Sequence, residues 1–290
     1  MRKHKLKHPP FAIIGLGKLG GAELTYGSDL DLVFVAPDKS KNLPKVCAQA
    51  TAVMDLLSET TEQGMVFRTD ARLRPDGEKG LLVNTLSAYE KYYRQRARLW
   101  EIQALTRSRP IGGDIETGQR FSELARTLAN FKQPSLPLAA YSPDWKHEIA
   151  KMRLRIEKER TPAGKDALAI KTGSGGLIDA EFMAQALCLE HGLHQPNTLV
   201  ALLTLQSQQA LPEADARLLI ESYFQLRRVE GILRRWSYEG ETELPDDPAP
   251  FYRVAVRCGF ATPVEFAAAV AAYRRAIRSV YSHVFAGTAK

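Results

Sequence analysis

Cysteine is scarce in this chain. Cys47, Cys188 and Cys258 are the only three in 290 residues, and they form no CxxC pair. That excludes a zinc ribbon and a disulfide framework, and it fits a reducing, cytoplasmic setting. Long apolar runs are missing too: none approaches the roughly 20 residues of a membrane span, so no membrane role is expected. The opening MRKHKLKHPP is basic but lacks the apolar stretch of a secretory signal and is expected to be a solvated start. There is no internal repeat, no low-complexity tract and no GxxxxGK[ST] spacing, so a Walker-type phosphate loop is excluded. What the chain has in excess is positive charge, with 40 Lys and Arg against 33 Asp and Glu, a formal net charge of +7. Such a balance suits an anionic partner, whether nucleotide phosphates, nucleic acid or an acidic protein, without choosing among them.

The length suggests two domains. Phe11–Leu16 is a short apolar run with the character of a buried strand, followed by a glycine-rich turn and a brief helical piece over Lys18–Leu24. Asp29–Ala36 predicts a second strand, ended by Pro37. Lys45–Gln63 has helical spacing, Met65–Leu73 predicts a third strand, Pro75-Asp76-Gly77 marks a turn, and Gly80–Val83 a short edge strand. Helices are expected over Ser87–Arg107 and Ile115–Leu128, then a proline-bearing linker over Phe131–Asp144. Beyond it the helical period dominates, over Trp145–Arg160, Leu177–His191, Thr198–Gln208, Glu213–Trp236, Pro250–Cys258 and Pro263–Phe285. The pattern implies an α+β unit over residues 1–132 followed by an all-α helical bundle over 140–290.

The chemistry concentrates in FAIIGLGKLGGAELTYGSDLDLVFV, residues 11–35. Gly15-Leu16-Gly17-Lys18-Leu19-Gly20 matches GxGxxG after a strand, and Asp38 stands near the position of a ribose-binding acid, which would suit a dinucleotide site. Against this, the helix is cut short at Gly27, the alternating βαβ pattern stops, and the next strand opens with two carboxylates. The other reading starts from those carboxylates. Residues two apart in a strand share a side, so Asp29 and Asp31 project together while Leu30, Leu32 and Phe34 enter the core. Adjacent carboxylates repel unless a cation lies between them. Magnesium takes one or two carboxylates plus phosphate oxygens, and such a pair can hold two ions about 4 Å apart, as in nucleotidyl transfer. The backbone N–H groups of Gly17–Gly20 and the ammonium of Lys18 supply the matching phosphate site. Asp70 offers a third carboxylate, as metal ligand or base. Arg72 and Arg74, on its face by the same period of two, can bind a triphosphate by forked hydrogen bonds.

These residues resemble a known family. GLGKLGGAELTYGSDLDLVFV, TDARLRPDGEKGLLV and YRQRARLWEIQALTRSRPIGGD are similar to the catalytic domains of glutamine synthetase adenylyltransferase, and IKTGSGGLIDAEFMAQALCLEHG to the start of that family's helical domain. The resemblance covers most of Phe11–Asn197, in the family's order. It implies a nucleotidyltransferase fold of the DNA polymerase β type, with Asp29, Asp31 and Asp70 as catalytic metal ligands and Gly17, Lys18, Ser28, Arg72 and Arg74 around ATP. Trp100, Glu101 and Arg107 match a helix expected to support the floor of the site. Mg2+ is the implied cofactor, with Mn2+ as substitute, ATP the substrate and glutamine synthetase the acceptor. A PII signalling protein is the family's regulator, and nucleic acid is disfavoured as a partner. The family enzyme has two catalytic halves, one adding AMP to a tyrosine and one removing it by phosphorolysis. The wording TYGSDLDLVF and WEIQALTRSR matches the adenylylating half, with the reverse reaction and another acceptor as alternatives.

In the helical half, Gly173-Ser174-Gly175-Gly176 is expected to be a simple helix entry rather than a phosphate cradle. Asp179 and Glu181 are not expected to be metal ligands, since residues two apart do not share a helix face. His191 and His194 are expected to be a solvent-exposed pair, and Arg227, Arg228, Arg234 and Arg235 mostly a solvated face.

Overall fold

A computed structural model describes residues 9–237 and 240–286; the expectation for the first eight residues lies outside them. The described residues divide into two compact units. One holds the residues up to Leu24, Ser28–Tyr141 and Leu189–Asn197; the other holds Thr25–Gly27, Ser142–Cys188 and the residues from Thr198 onward.

The first unit is built on a mixed sheet. Strands β1 (Ala12–Gly15) and β2 (Leu30–Ala36) pair antiparallel, Gly15 opposite Leu32. Between them lies only the single turn α1 (Gly17–Gly20), then an irregular passage. An antiparallel return without a crossover helix is not a βαβ unit, so the dinucleotide reading fails on topology. Asp38 is likewise engaged elsewhere: it accepts the backbone N–H of Ser87 at 2.8 Å, which holds its carboxyl below the usual range.

Helix α2 (Leu43–Ser58) starts where Asn42 accepts the N–H of Lys45 at 3.1 Å. It covers one face of β2: Leu30, Leu32, Phe34 and Ala36 form a core with Val46, Ala50, Phe11 and Val83. The alternate residues Val33 and Val35 are buried as well, so the sheet is covered on both faces.

Several elements are shorter than the sequence pattern predicts. The helix expected to run to Gln63 stops at Ser58, and Thr60–Thr61 (β3) pairs with Gly64–Met65 (β4) as a small hairpin. The third strand is not continuous over Met65–Leu73; only Thr69–Asp70 (β5) pairs, parallel, with β2. After the 3-10 turn Gly77–Lys79, β6 (Val83–Thr85) joins the same edge of β2 further along. The helix expected over Ser87–Arg107 breaks into α3 (Leu86–Gln95) and α4 (Leu99–Leu105). The break is imposed by a cap: Glu101 turns back to accept the N–H of Arg98 at 2.8 Å, starting a new helix. Strand β7 (Arg109–Gly113) was invisible in the sequence, because Pro110 and two glycines are poor strand formers. It pairs antiparallel with β1 through a bulge between Ile13 and Ile14. Helix α5 (Ile115–Leu128), capped by Asp114, completes the unit.

The second unit is helical, as expected: α6 (Trp145–Arg160), most of α7 (Leu177–His191), α8 (Thr198–Ser207), α9 (Glu213–Ser237), α10 (Pro248–Arg257) and α11 (Pro263–Val284). Leu219, Tyr223, Leu226, Val229 and Leu233 of α9 are buried, as are Phe266, Val270, Ile277 and Val280 of α11, which packs along it. Arg153 and Asp179 are fully buried as an ion pair. Arg153 also donates to the carbonyls of Thr172 and Gly173, and Asp179 accepts the N–H of Gly175 at 2.8 Å. Ser174 N–H is held by Asp166. The Gly173–Gly176 turn is thus tied down by side chains of its own unit, a helix entry and not a phosphate cradle. The arginine face is only half solvated: Arg228 and Arg235 are exposed, whereas Arg227 and Arg234 flank the buried Glu230.

Candidate active site

The end of β1, the start of β2 and the short β5 meet at one place. Leu16 N–H donates to the carbonyl of Asp31 at 2.9 Å, which fixes the glycine turn against the acidic strand. The β2–β5 register sets Asp31 directly beside Asp70. Asp29 lies one residue before the strand, exposed, while Asp31 and Asp70 are half-buried. Burial, then the charges of Asp70 and Asp29, pushes the Asp31 carboxyl up to about 6; Arg107 and Arg72 oppose the rise.

Gly17 has φ +53°, and a Cβ there would lie 2.5 Å from Asp31 Oδ2. Only glycine therefore permits this turn over this carboxylate. Gly20 N–H donates to Leu16 C=O at 2.9 Å, which narrows the expected phosphate cradle to the start of the turn. A Cβ at Gly20 would strike the carbonyl of Arg107. Lys18 is half-buried in the same turn and Ser28 is buried beside Asp29 in sequence.

The two arginines diverge. Because β5 ends at Asp70, the period of two does not carry on to Arg74. Arg74 instead donates to the carbonyls of Ala71 (2.7 Å), Glu78 (3.1 Å) and Gly80 (3.3 Å), closing the loop between β5 and β6. Arg72 grips Asp70 through its fork and its own N–H, which holds the Asp70 carboxyl below its ordinary value.

Behind the turn, Arg107 and Glu23 form an ion pair with both side chains more than nine-tenths buried. Glu101 accepts from the Tyr92 hydroxyl at 2.6 Å while capping α4. Glu101 and Arg107 of the expected supporting floor are thus each held in a buried polar contact, while Trp100 is exposed. Residues 189–197 add a contribution that no local pattern announces. Asn197 Nδ2 donates to Gly21 C=O at 2.8 Å, 176 residues away in sequence. His194 lies 3.2 Å from Leu105 C=O and 3.3 Å from Ser108 Oγ, so it is not half of an exposed pair, and burial lowers its pKa.

Among the described residues no group of three or more His, Cys, Asp or Glu side chains is drawn together closely enough to hold a metal ion. Magnesium does not require one: it is held by one or two carboxylates together with substrate phosphates. An all-oxygen donor set, with one carboxylate whose charge is disfavoured by burial and then by its neighbours, has the chemistry a hard divalent cation would relieve.

Comparison with known proteins finds two family models and a set of relatives. Residues 1–124 match the family model of glutamate-ammonia ligase adenylyltransferase, and residues 145–285 that of GlnD PII-uridylyltransferase. The chain is 37% identical over 258 residues to a bifunctional glutamine synthetase adenylyltransferase/adenylyl-removing enzyme of Streptomyces avermitilis, covering 86% of this chain and 25% of that protein. It is 36% identical over 262 residues to the one of Mycobacterium leprae, again 86% and 25%. For Nitrosomonas eutropha the figures are 37% over 240 residues, 80% and 25%. The chain therefore spans about a quarter of the length of the curated relatives it matches. Residues 1–124 thus carry the domain of the glutamate-ammonia ligase adenylyltransferase family, and the identity to its bifunctional enzymes runs through both units.

Proposed function

We propose that this chain transfers AMP from ATP to a tyrosine hydroxyl of glutamine synthetase, on a domain of the polymerase β type. The observation that carries the reading is the seating of Gly17 against the Asp31 carboxylate, with Asp70 alongside and Asp29 adjacent. In this reading the glycine turn and Lys18 hold the triphosphate, with Ser28 buried at the entry to the acidic strand. Arg72 supplies a fork for phosphate oxygens. Arg74 shapes the loop that carries Arg72 and adds charge from behind.

Of the three expected ligands Asp29, Asp31 and Asp70, the adjacent Asp31 and Asp70 would hold Mg2+, or Mn2+ in its place, together with substrate phosphates. When bound, the cation lowers the pKa of the acceptor hydroxyl and neutralises charge on the phosphates. Asp70, kept ionised by Arg72, would serve as a ligand to that cation or take the hydroxyl proton. The names of the relatives include adenylyl removal as well as addition, so phosphorolytic release of AMP by the same residues is the alternative. The match of residues 145–285 makes a PII signalling protein the regulator to test. The proposed compartment is the cytoplasm; no helix among the described residues is long and apolar enough to cross a membrane.

The test is incubation with labelled ATP, Mg2+ and purified glutamine synthetase, followed by mass analysis of the acceptor tyrosine. AMP on that tyrosine is expected, with Asp29→Asn and Asp31→Asn each losing several orders of magnitude in rate while keeping the fold. An unmodified synthetase would overturn the reading. Orthophosphate added to modified synthetase tests the reverse direction, and a PII protein titrated into either assay tests regulation.

A further inference from the structure

Asp70 is engaged on both of its oxygens. Arg72 Nε lies 3.0 Å from Oδ1 and 2.9 Å from Oδ2, Nη2 lies 2.5 Å from Oδ2, and the backbone N–H of Arg72 donates to Oδ1 at 2.8 Å. The β2–β5 register puts this gripped carboxylate directly beside Asp31. A divalent cation shared between the two aspartates needs the lone pairs that the guanidinium now occupies. The Arg72 side chain is 68% exposed, so it can leave without opening the core. A guanidinium fork matches phosphate as well as carboxylate, and a triphosphate presents more negative charge than one aspartate.

We propose that Arg72 is a nucleotide-operated latch on Asp70. In the free protein it masks the carboxylate, and an arriving triphosphate draws the guanidinium away, so that cation binding at Asp70 follows the nucleotide. The inference rests on the roles proposed above for Asp70 and Arg72, and it adds an order of events. An ion pair open to solvent on its arginine side is weak, so the mask is worth about two- to fivefold in cation affinity. That is small enough for a nucleotide to undo.

The test is a titration of the full chain with Mn2+ in the absence of nucleotide, at mildly alkaline pH, with free Mn2+ read by electron paramagnetic resonance. Arg72→Gln is expected to bind Mn2+ roughly two- to fivefold more tightly than the parent chain. The gain should vanish when Asp70→Asn is added, because the unmasked carboxylate is then gone. Equal affinities for parent and Arg72→Gln would overturn the latch while leaving the carboxylate site standing. A gain that persists in the Asp70→Asn background would also overturn it, since that is the mark of general charge removal. If neither parent nor Arg72→Gln binds Mn2+ without nucleotide, the latch is overturned, while the catalytic reading is decided separately by the AMP-transfer assay.

Discussion

Asp31 carries the tension of the site. Its carboxyl sits at about 6 in the folded chain against a reference of 3.8, with burial as the main cause and two neighbouring aspartates adding to it. Folding therefore favours the protonated form. The stability this contributes is complete below pH 3.8 and is lost as the pH rises through about 6. Without divalent cations, Asp31→Asn is expected to be more stable than the parent chain at pH 8, by about 1–3 kcal/mol, and equal to it near pH 4. Urea unfolding at the two pH values checks this; equal stability at pH 8 would show that the carboxylate is not strained. Gly17 is the matching steric requirement. Gly17→Ala forces a side chain into a left-handed turn and onto Asp31 Oδ2. AMP transfer is expected to fall by about two orders of magnitude or more, with circular dichroism unchanged.

At the level of elements, the break between α3 and α4 rests on Glu101. Its carboxylate caps the N–H of Arg98 and accepts the Tyr92 hydroxyl, and it is buried. Glu101→Ala removes both bonds and is expected to cost roughly 1–3 kcal/mol, measurable by denaturant titration. Arg107, just past α4, makes the buried pair with Glu23 and sets its carbonyl against Gly20. Arg107→Met leaves Glu23 without this cation in a buried place, so a larger loss of about 3–5 kcal/mol is expected by the same measurement. The second change acts on the turn that faces Asp31, through the pair with Glu23 and the Arg107 carbonyl against Gly20.

Across the whole molecule, each unit has its own buried charge network. That of the helical unit centres on Asp179, which is paired with Arg153 and also with Arg278 at 3.1 Å. Arg274, whose carbonyl lies close to Gly175, reaches Ser174 C=O and Asp166 as well. Asp179→Ala leaves two cations without this carboxylate and is expected to destabilise the helical unit by about 3–5 kcal/mol. Hydrogen exchange should rise in α6, α7 and α11. Unchanged exchange there would show that the network is dispensable.

The sequence by itself determined the long, periodic elements. Five of the helices from α6 to α11 begin at the expected residue, and in α9 and α11 an apolar stripe at helical spacing leaves little choice of secondary structure. The exception is α10, which starts at Pro248 rather than Pro250. It determined the facing of β2 too: with a period of two, Leu30, Leu32 and Phe34 go to the core and Asp31 to the other side. What it did not determine depends on partners distant in the chain. Strand β7 exists because β1 offers an edge to pair with, and neither Pro110 nor Gly112 says so locally. The separate duties of Arg72 and Arg74 follow from β5 ending at Asp70, a length set by its pairing with β2. The seating of Asn197 on Gly21 and of Arg107 on Glu23 spans 176 and 84 residues. Short-range propensity fixes helices and strand faces, but only tertiary pairing brings carboxylate, glycine turn and buried cation to one point.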